Sequence, residues 1–149
     1  MMRLIDTLLD RQSKGTDLPF TLCTLPNRTP VGMTRFLQID RENRSVEVGG
    51  TWLGRDYWRT PLNTESKLLM LRYAFEVEKV NRVQLQTDLR NVRSQTAIER
   101  IGAVREGVLR DHAILWNGYV RSSVVYSILA NEWPAVKHRL EEYLHPREP

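Results

Sequence analysis

The segment from Ser45 to Thr87 places the tightest constraint on the fold. Ser45 to Leu53 and Arg82 to Thr87 have the composition and alternation of two strands, and the residues between them have the apolar spacing of a helix that ends near Val80. A helix that joins two strands of one sheet crosses over its face, so the two strands lie parallel. The chain is therefore predicted to contain one parallel strand pair.

The remaining elements are separated by short turns rich in Gly, Pro and Asn, which predict antiparallel neighbours. Strands are expected at Pro19–Leu25, Val31–Asp40, Val104–Leu115 and Val120–Leu129, and helices at Met2–Leu9, Asn91–Ile101 and from a cap at Asn131 to Leu144. Asn63 or Thr64 is the expected cap of the crossover helix. The tail His145–Pro149 is expected to be frayed. The prediction is an α/β fold in one domain, residues 1–149, with a mixed, mostly antiparallel sheet and helices on its faces.

Composition excludes several classes of protein. The 149 residues include 22 Lys and Arg against 18 Asp and Glu, a net charge of +4, and 41% are apolar. This composition is globular, and no run approaches the ~18 apolar residues of a membrane span. A single cysteine, Cys23, permits no internal disulfide, which suits a reducing, cytoplasmic setting. Cys23 is expected to be a small core residue. No metal ion is expected, because metal-pair spacing is absent among His112, His138 and His145.

The loop between the third strand and the crossover helix is the first candidate site. The pair Gly49-Gly50 inside the strand indicates a bulge, or close approach of another group to the backbone. Arg55 and Arg59 follow, and the helix start at 62–64 offers unpaired N–H groups with a partial positive charge. A phosphate-binding turn has this order of elements, but so does an ordinary crossover loop, and both interpretations stay open.

The start of the next helix is the second candidate site. Asn91 and Ser94 lie there, directly after the strand predicted to be parallel. By pattern alone, an N-cap role for Asn91 and an exposed first-turn hydroxyl for Ser94 explain these residues.

Three blocks of the chain carry a resemblance to a known family. The blocks are GGTWLGRDYWRTPLNTESKLLMLRYAF, NRVQLQTDLRNVRSQTAIERIGAVREGVLR and SSVVYSIL. In this order and spacing they resemble the GNAT acetyltransferases, and within them the branch of the ribosomal-protein N-terminal acetyltransferases. The likeness extends from about Gly15 to about Leu144. It implies a GNAT-like fold in which the family's first strand and part of its first helical region are missing.

The resemblance implies that acetyl-CoA is the co-substrate. Its pyrophosphate would lie on the turn from Trp58 to Thr64, and its pantetheine arm between the strand that ends at Trp52-Leu53 and the strand Val83–Thr87. Pro61 replaces the glycine that the family usually has in this turn, which removes one N–H donor. The residues that the resemblance places against the co-substrate are Trp52, Leu53, Arg59, Thr60, Leu62, Asn63, Thr64, Asn91 and Arg93.

The implied reaction is direct attack of a primary amine on the thioester, with a peptide amino terminus or a small amine as the acceptor. Glu47 would act as the base; the alternatives for it are a solvent-facing residue or a partner of Arg35. Ser94 would return a proton to the thiolate, because Ile98 occupies the place of the tyrosine that many members use. A main-chain N–H near Leu53 would stabilise the oxyanion.

Two other functions compete with this prediction. A truncated CoA-binding paralogue without turnover agrees with Pro61 and the short N-terminal region. A basic nucleic-acid module ranks last, because the sheet lacks the interleaved aromatic residues that RNA binding predicts. Neither nucleic acid nor a membrane is therefore expected as a partner, whereas a homodimer could cover the exposed sheet edge.

Overall fold

The computed structural model describes residues 2–145 and confirms the predicted order of elements. The strands are β1 (Leu18–Thr24), β2 (Thr29–Asp40), β3 (Ser45–Leu53), β4 (Arg82–Asp88), β5 (Val104–Ile114) and β6 (Val120–Leu129). The helices are α1 (Met2–Ser13), α2 (Leu62–Arg72), α3 (Val92–Arg100) and α4 (Trp133–Leu144), with a 3₁₀ turn at Arg55–Tyr57 and a π-helical turn at Tyr73–Val77. The expected fraying concerns mainly residues 146–149, which lie outside the described residues.

The six strands form one sheet in the order β1-β2-β3-β4-β6-β5. Every neighbouring pair is antiparallel except β3 and β4, which are parallel as the crossover predicted. Their register has only three pairs: Ser45 with Arg82, Val46 with Val83, and Glu47 with Gln84. Beyond Glu47 the two strands diverge, although each continues along its other neighbour.

One face of the sheet carries the main apolar core. Val83 and Leu85 of β4 point to this face, where Leu71 of α2, Ile98 of α3 and Leu140 of α4 pack against them. Within α2, the residues that face the core recur at helical spacing, so the exposed neighbour Leu69 lies on the opposite side. Three helices therefore cover this face of the sheet.

The opposite face is polar near its centre and is tied to α1. Because side chains alternate along a strand, the residues between the core positions of β3 and β4 point here, among them Glu47. Asp17, which follows α1, is buried, and its Oδ2 lies 3.4 Å from Nη1 of Arg35 on β2 and 3.7 Å from Nη1 of Arg11. Helices thus occupy both faces, as predicted.

Three local predictions were wrong. The N-cap of α2 is Pro61, with φ −61°, and no side chain caps this helix, so neither Asn63 nor Thr64 has that role. The N-cap of α4 is Glu132 rather than Asn131. Cys23 is exposed, because β1 is an edge strand on which this position faces away from the core.

A buried lysine links α2 to the diverging half of β3. The Nζ atom of Lys67 donates a hydrogen bond of 2.7 Å to Oγ1 of Thr51, which lies 2.9 Å from Oγ1 of Thr34 on β2. Within residues 2–145 no carboxylate pairs with this ammonium. Burial lowers the pKa of Lys67 from 10.5 to about 8.

None of the helices within residues 2–145 is both long and apolar enough to cross a membrane.

Leu71→Ala tests the core. Leu71 is fully enclosed, and its truncation should lower the free energy of unfolding by about 2–5 kcal/mol, because a cavity remains where the side chain was. Leu69→Ala on the same helix is the matched control, since Leu69 is 56% exposed and its loss should change stability little. Urea denaturation followed by circular dichroism measures both variants, and equal losses would contradict the assignment of the core face.

Lys67→Met tests the buried lysine through pH. Between its folded pKa of about 8 and its ordinary value of 10.5, the unfolded chain holds a proton that the folded chain has lost. Folding therefore becomes more favourable as the pH rises through this window. From about pH 7.5 to about pH 9.5, the wild type should gain about 1–2 kcal/mol of stability relative to Lys67→Met.

Urea denaturation at the two pH values measures this difference. Lys79→Met is the control, because Lys79 is exposed and its stability difference from the wild type should stay constant. A difference between the wild type and Lys67→Met that does not change with pH would show that Lys67 is not held in a dry site.

Candidate functional site

The divergence of β3 and β4 interrupts the ladder of the sheet, and the gap between residues 48–53 and 85–88 is called the cleft. Beyond Glu47, β3 stays paired with β2 as far as Leu53, and β4 stays paired with β6 as far as Asp88. The main-chain edges that the two strands present to each other, residues 48–53 and 85–88, therefore have no ladder partner in the described chain. These N–H and C=O groups are available to a ligand that lies between the strands.

A bulge at Gly50 accompanies this divergence. The register between β2 and β3 shifts between Met33 with Trp52 and Arg35 with Gly49, and Gly50 has φ +56°. A Cβ at Gly50 would stand 2.6 Å from Nε of Arg35, so a larger residue would be strained by its positive φ and would have to displace the Arg35 side chain. The predicted bulge is confirmed, and because a bulge bends its strand, it accounts for β3 turning away from β4.

Glu47 lies at the closed end of the cleft. Its side chain is only 4% exposed, and its Oε2 accepts hydrogen bonds from Nε2 of Gln86 at 3.0 Å and Nε2 of Gln84 at 3.2 Å. Oε1 lies beside Gly49, where an added Cβ would be 3.3 Å from it. The solvent-facing alternative for Glu47 is therefore wrong.

The electrostatic surroundings of Glu47 favour a carboxyl group that can take up a proton. Burial raises the pKa of Glu47 above its ordinary value, and this effect exceeds the opposing hydrogen bonds from the two glutamines and the charges of Arg121 and Arg35. Arg35 is not its direct ion-pair partner, because that arginine pairs with Asp17.

The turn before α2 presents free main-chain donors at the open end of the cleft. The first helical hydrogen bond runs from the N–H of Glu65 to the carbonyl of Pro61, and no side chain caps the helix. The N–H groups of residues 62–64 consequently have no main-chain acceptor within the described structure. Arg59 has φ +63°, and Oγ1 of Thr60 donates to the carbonyl of Tyr57. Such a turn can bind an anion even though Pro61 itself lacks an N–H.

Trp58 joins this turn to the ends of β3 and α3. Its Nε1 donates a 2.9 Å hydrogen bond to the carbonyl of Leu53, which is therefore already engaged. The guanidinium of Arg93 lies 4.4 Å from the Trp58 ring centroid, and that of Arg55 lies 5.8 Å from it. The guanidinium groups of Arg55 and Arg93 thus flank the turn. Trp52, near the end of β3, is 57% exposed.

Asn91 and Ser94 lie where β4 leads into α3. Asn91 is the N-cap of α3, and its Oδ1 accepts a 3.0 Å hydrogen bond from the N–H of Ser94. The capping interpretation of Asn91 is thus confirmed, and its amide Nδ2 remains available to a ligand.

A hydrogen bond links the beginning of α2 to the end of α3. Oγ1 of Thr64, at the start of α2, accepts it from Nη2 of Arg100.

Sequence reasoning overlooked the polar groups around Glu47. Gln84 and Gln86 alternate with the buried Val83 and Leu85, and this alternation was the available signal that both glutamines share a face with Glu47. No local sequence pattern marks Arg121, because only the pairing of β6 with β4 brings it to the same face as Glu47.

Comparison with known proteins agrees with this architecture. The family model for the acetyltransferase (GNAT) domain matches residues 2–104. "Putative ribosomal N-acetyltransferase YdaF" from Bacillus subtilis strain 168 is 33% identical over 106 residues, which make up 71% of this chain and 57% of YdaF. The chain thus spans less than two thirds of that relative's length.

Two solved structures are similar over nearly the whole chain. A "putative acetyltransferase" from T. thermophilus is 42% identical with a TM-score of 0.85, covering 95% of this chain and 72% of that one. A GCN5-related N-acetyltransferase from Brucella melitensis is 30% identical with a TM-score of 0.85, covering 95% and 64%. On the match over residues 2–104, the chain belongs to the GNAT acetyltransferase family.

Proposed function

We propose that this protein is an N-acetyltransferase that binds acetyl-CoA between β3 and β4 and transfers the acetyl group to a primary amine. The observation that supports this most strongly is the loss of strand pairing beyond Glu47. It leaves main-chain groups free along a cleft that ends at the uncapped start of α2. Family membership agrees with this choice of co-substrate.

The proposed position of the co-substrate follows the free donors. The amides of the pantetheine arm would bond to the unpaired edges of β3, near Trp52 and Leu53, and of β4. The pyrophosphate would accept hydrogen bonds from the N–H groups of residues 62–64, where the partial positive charge of the helix start favours an anion. The proposed contacts are completed by Arg59, Thr60, Asn91 and Arg93.

Glu47 is the proposed general base. The attacking amine must be neutral, and a raised pKa makes the Glu47 carboxylate a stronger proton acceptor while it is ionised. The amine nitrogen forms the new bond to the acetyl carbon, the C–S bond breaks, and the amine proton passes to Glu47 directly or through water. Ser94 or water would supply a proton to the departing thiolate. A main-chain N–H on β3 near Leu53 would stabilise the oxyanion.

A peptide amino terminus is the proposed acceptor, since the relative YdaF is named a putative ribosomal N-acetyltransferase.

A homodimer that covers the edge of the sheet at β1 is also part of the proposal. This edge strand exposes Phe20 and is followed by the exposed Leu25.

A second candidate function, CoA binding without turnover, is favoured by Pro61, which cannot donate a hydrogen bond to the pyrophosphate.

Binding of acetyl-CoA tests the proposed cleft. Isothermal titration calorimetry should show binding of acetyl-CoA and about 100-fold weaker binding of acetyl-pantetheine, which lacks the pyrophosphate and so cannot bond to the helix start. Equal affinities would remove the turn at residues 58–64 from the site, and no binding of either compound would contradict both candidate functions.

Glu47→Gln tests the base. Its amide oxygen can still accept from Gln84 and Gln86, but it cannot take the proton, so kcat should fall by about 10²–10⁴-fold. The affinity for acetyl-CoA should change little. Thiol release with a panel of amino-terminal peptides and small amines measures turnover.

Glu42→Gln is the control, because Glu42 is an exposed glutamate in the turn between β2 and β3. Unchanged turnover in Glu47→Gln would show that another group is the base. Acetyl-CoA binding by the wild type with no turnover of any amine would favour the second candidate function.

A further inference from the structure

Arg121 lies on β6, on the polar face of the sheet that also carries Glu47. In the pairing of β4 with β6, Gln86 faces Val125 and Asp88 faces Ser123, so Arg121 follows two residues further along the same face, past the end of β4. Burial raises the pKa of Glu47, and the charge of Arg121 is among the effects that oppose this rise. Hydrogen bonds from Arg90 lower the pKa of Asp88, and the charge of Arg121 adds to that effect, so Arg121 acts electrostatically on both carboxylates.

Arg121 differs from the other arginines of this face in having no anionic partner. Arg35 pairs with Asp17, Arg82 with Glu106, and Arg90 with Asp88. Arg121 forms no ion pair with any residue of the described chain, and its Nε is enclosed without a hydrogen-bond acceptor. An enclosed donor of this kind is stabilised when an acceptor from a ligand or from water bonds to it.

An unpaired acceptor lies on the same face. The Oε1 atom of Gln86 is enclosed and bonds to no donor among residues 2–145, while Nε2 of the same amide is fixed on Glu47. Oε1 of Glu47 lies beside Gly49, where an added Cβ would be 3.3 Å from it. The surroundings of Glu47 therefore offer oxygens to an N–H donor, and Arg121 offers a guanidinium to an anion.

We propose that the acceptor amine belongs to a molecule that also carries a carboxylate near the amine, and that Arg121 binds this carboxylate. This inference rests on the proposed acetyl transfer. The amine would donate to Glu47 and to Oε1 of Gln86, and the carboxylate would accept from Arg121. Arg121 is thus assigned as a residue that determines acceptor specificity. Polyamines, which carry only positive charges, are poor acceptors in this arrangement.

Matched acids and amides test the proposal. The first pair consists of amidated peptides that differ only in Asp or Asn after the amino-terminal residue, and the second of a free α-amino acid and its α-amide. The carboxylate is replaced by an amide in each pair, and kcat/KM is compared per neutral amine because the α-amide also lowers the pKa of its own amine. The pair with the larger preference identifies the source of the carboxylate. The wild type should acetylate the acid of at least one pair with a kcat/KM at least about tenfold higher than that of its amide.

Variants at position 121 connect this preference to the arginine. Arg121→Gln should abolish the preference, Arg121→Glu should reverse it, and Arg121→Lys, which keeps the charge, should retain part of it. Arg41→Glu is the matched control, because Arg41 is exposed in the turn between β2 and β3 and its reversal alters the net charge equally. Arg41→Glu should keep the full preference, and urea midpoints establish that each variant folds.

Calorimetric titration of the same pairs, with and without CoA, gives a readout that does not require turnover. Tighter binding of an acid than of its amide in the wild type, lost in Arg121→Gln, supports the proposal even if no acceptor is acetylated. Equal binding and equal kcat/KM within both pairs would overturn it while leaving acetyl transfer intact. Failure to bind CoA would instead count against the proposed function.

Discussion

The candidate site depends on the separation of the parallel strands β3 and β4 after only three residue pairs. Unpaired main-chain groups are unfavourable where water is excluded, so a cleft of this kind needs support from its surroundings. β2 supports one wall, and β6 supports the other. The bulge at Gly50 bends β3, and Lys67 ties the bent part to α2 through Thr51. The buried ammonium is therefore part of what holds the wall of the cleft in place.

Core packing on one face of the sheet determines which side chains lie on the opposite face. Val83 and Leu85 are held among the helices, and this orientation turns Gln84 and Gln86 toward Glu47. A shift of one residue in the register would exchange the two sets, so the apolar face specifies where the polar face lies. The hydrogen-bonded carboxylate is thus positioned by residues that never touch it.

Local patterns explain why the fold was predictable and parts of the site were not. The parallel pair followed from a strand, a helix and a strand in succession, which leaves few arrangements open. The cap of α2 was missed because Pro61, whose φ of −61° suits a helix start, begins this helix without any capping side chain. Alternation could have revealed Gln86, but burial of Glu47 and the approach of Arg121 arise from pairing between distant strands, which no local window contains.

In the proposed arrangement, the charges around Glu47 would also couple binding of the acceptor to its activation. Burial raises the pKa of Glu47, and the positive charge of Arg121 counteracts part of that rise. A carboxylate bound to Arg121 would neutralise this opposing charge, and the pKa of Glu47 would rise further. The base would then be strongest when an acceptor of the proposed kind is in place. In the empty cleft the charge of Arg121 favours the ionised form of Glu47, which is the form that must accept the proton.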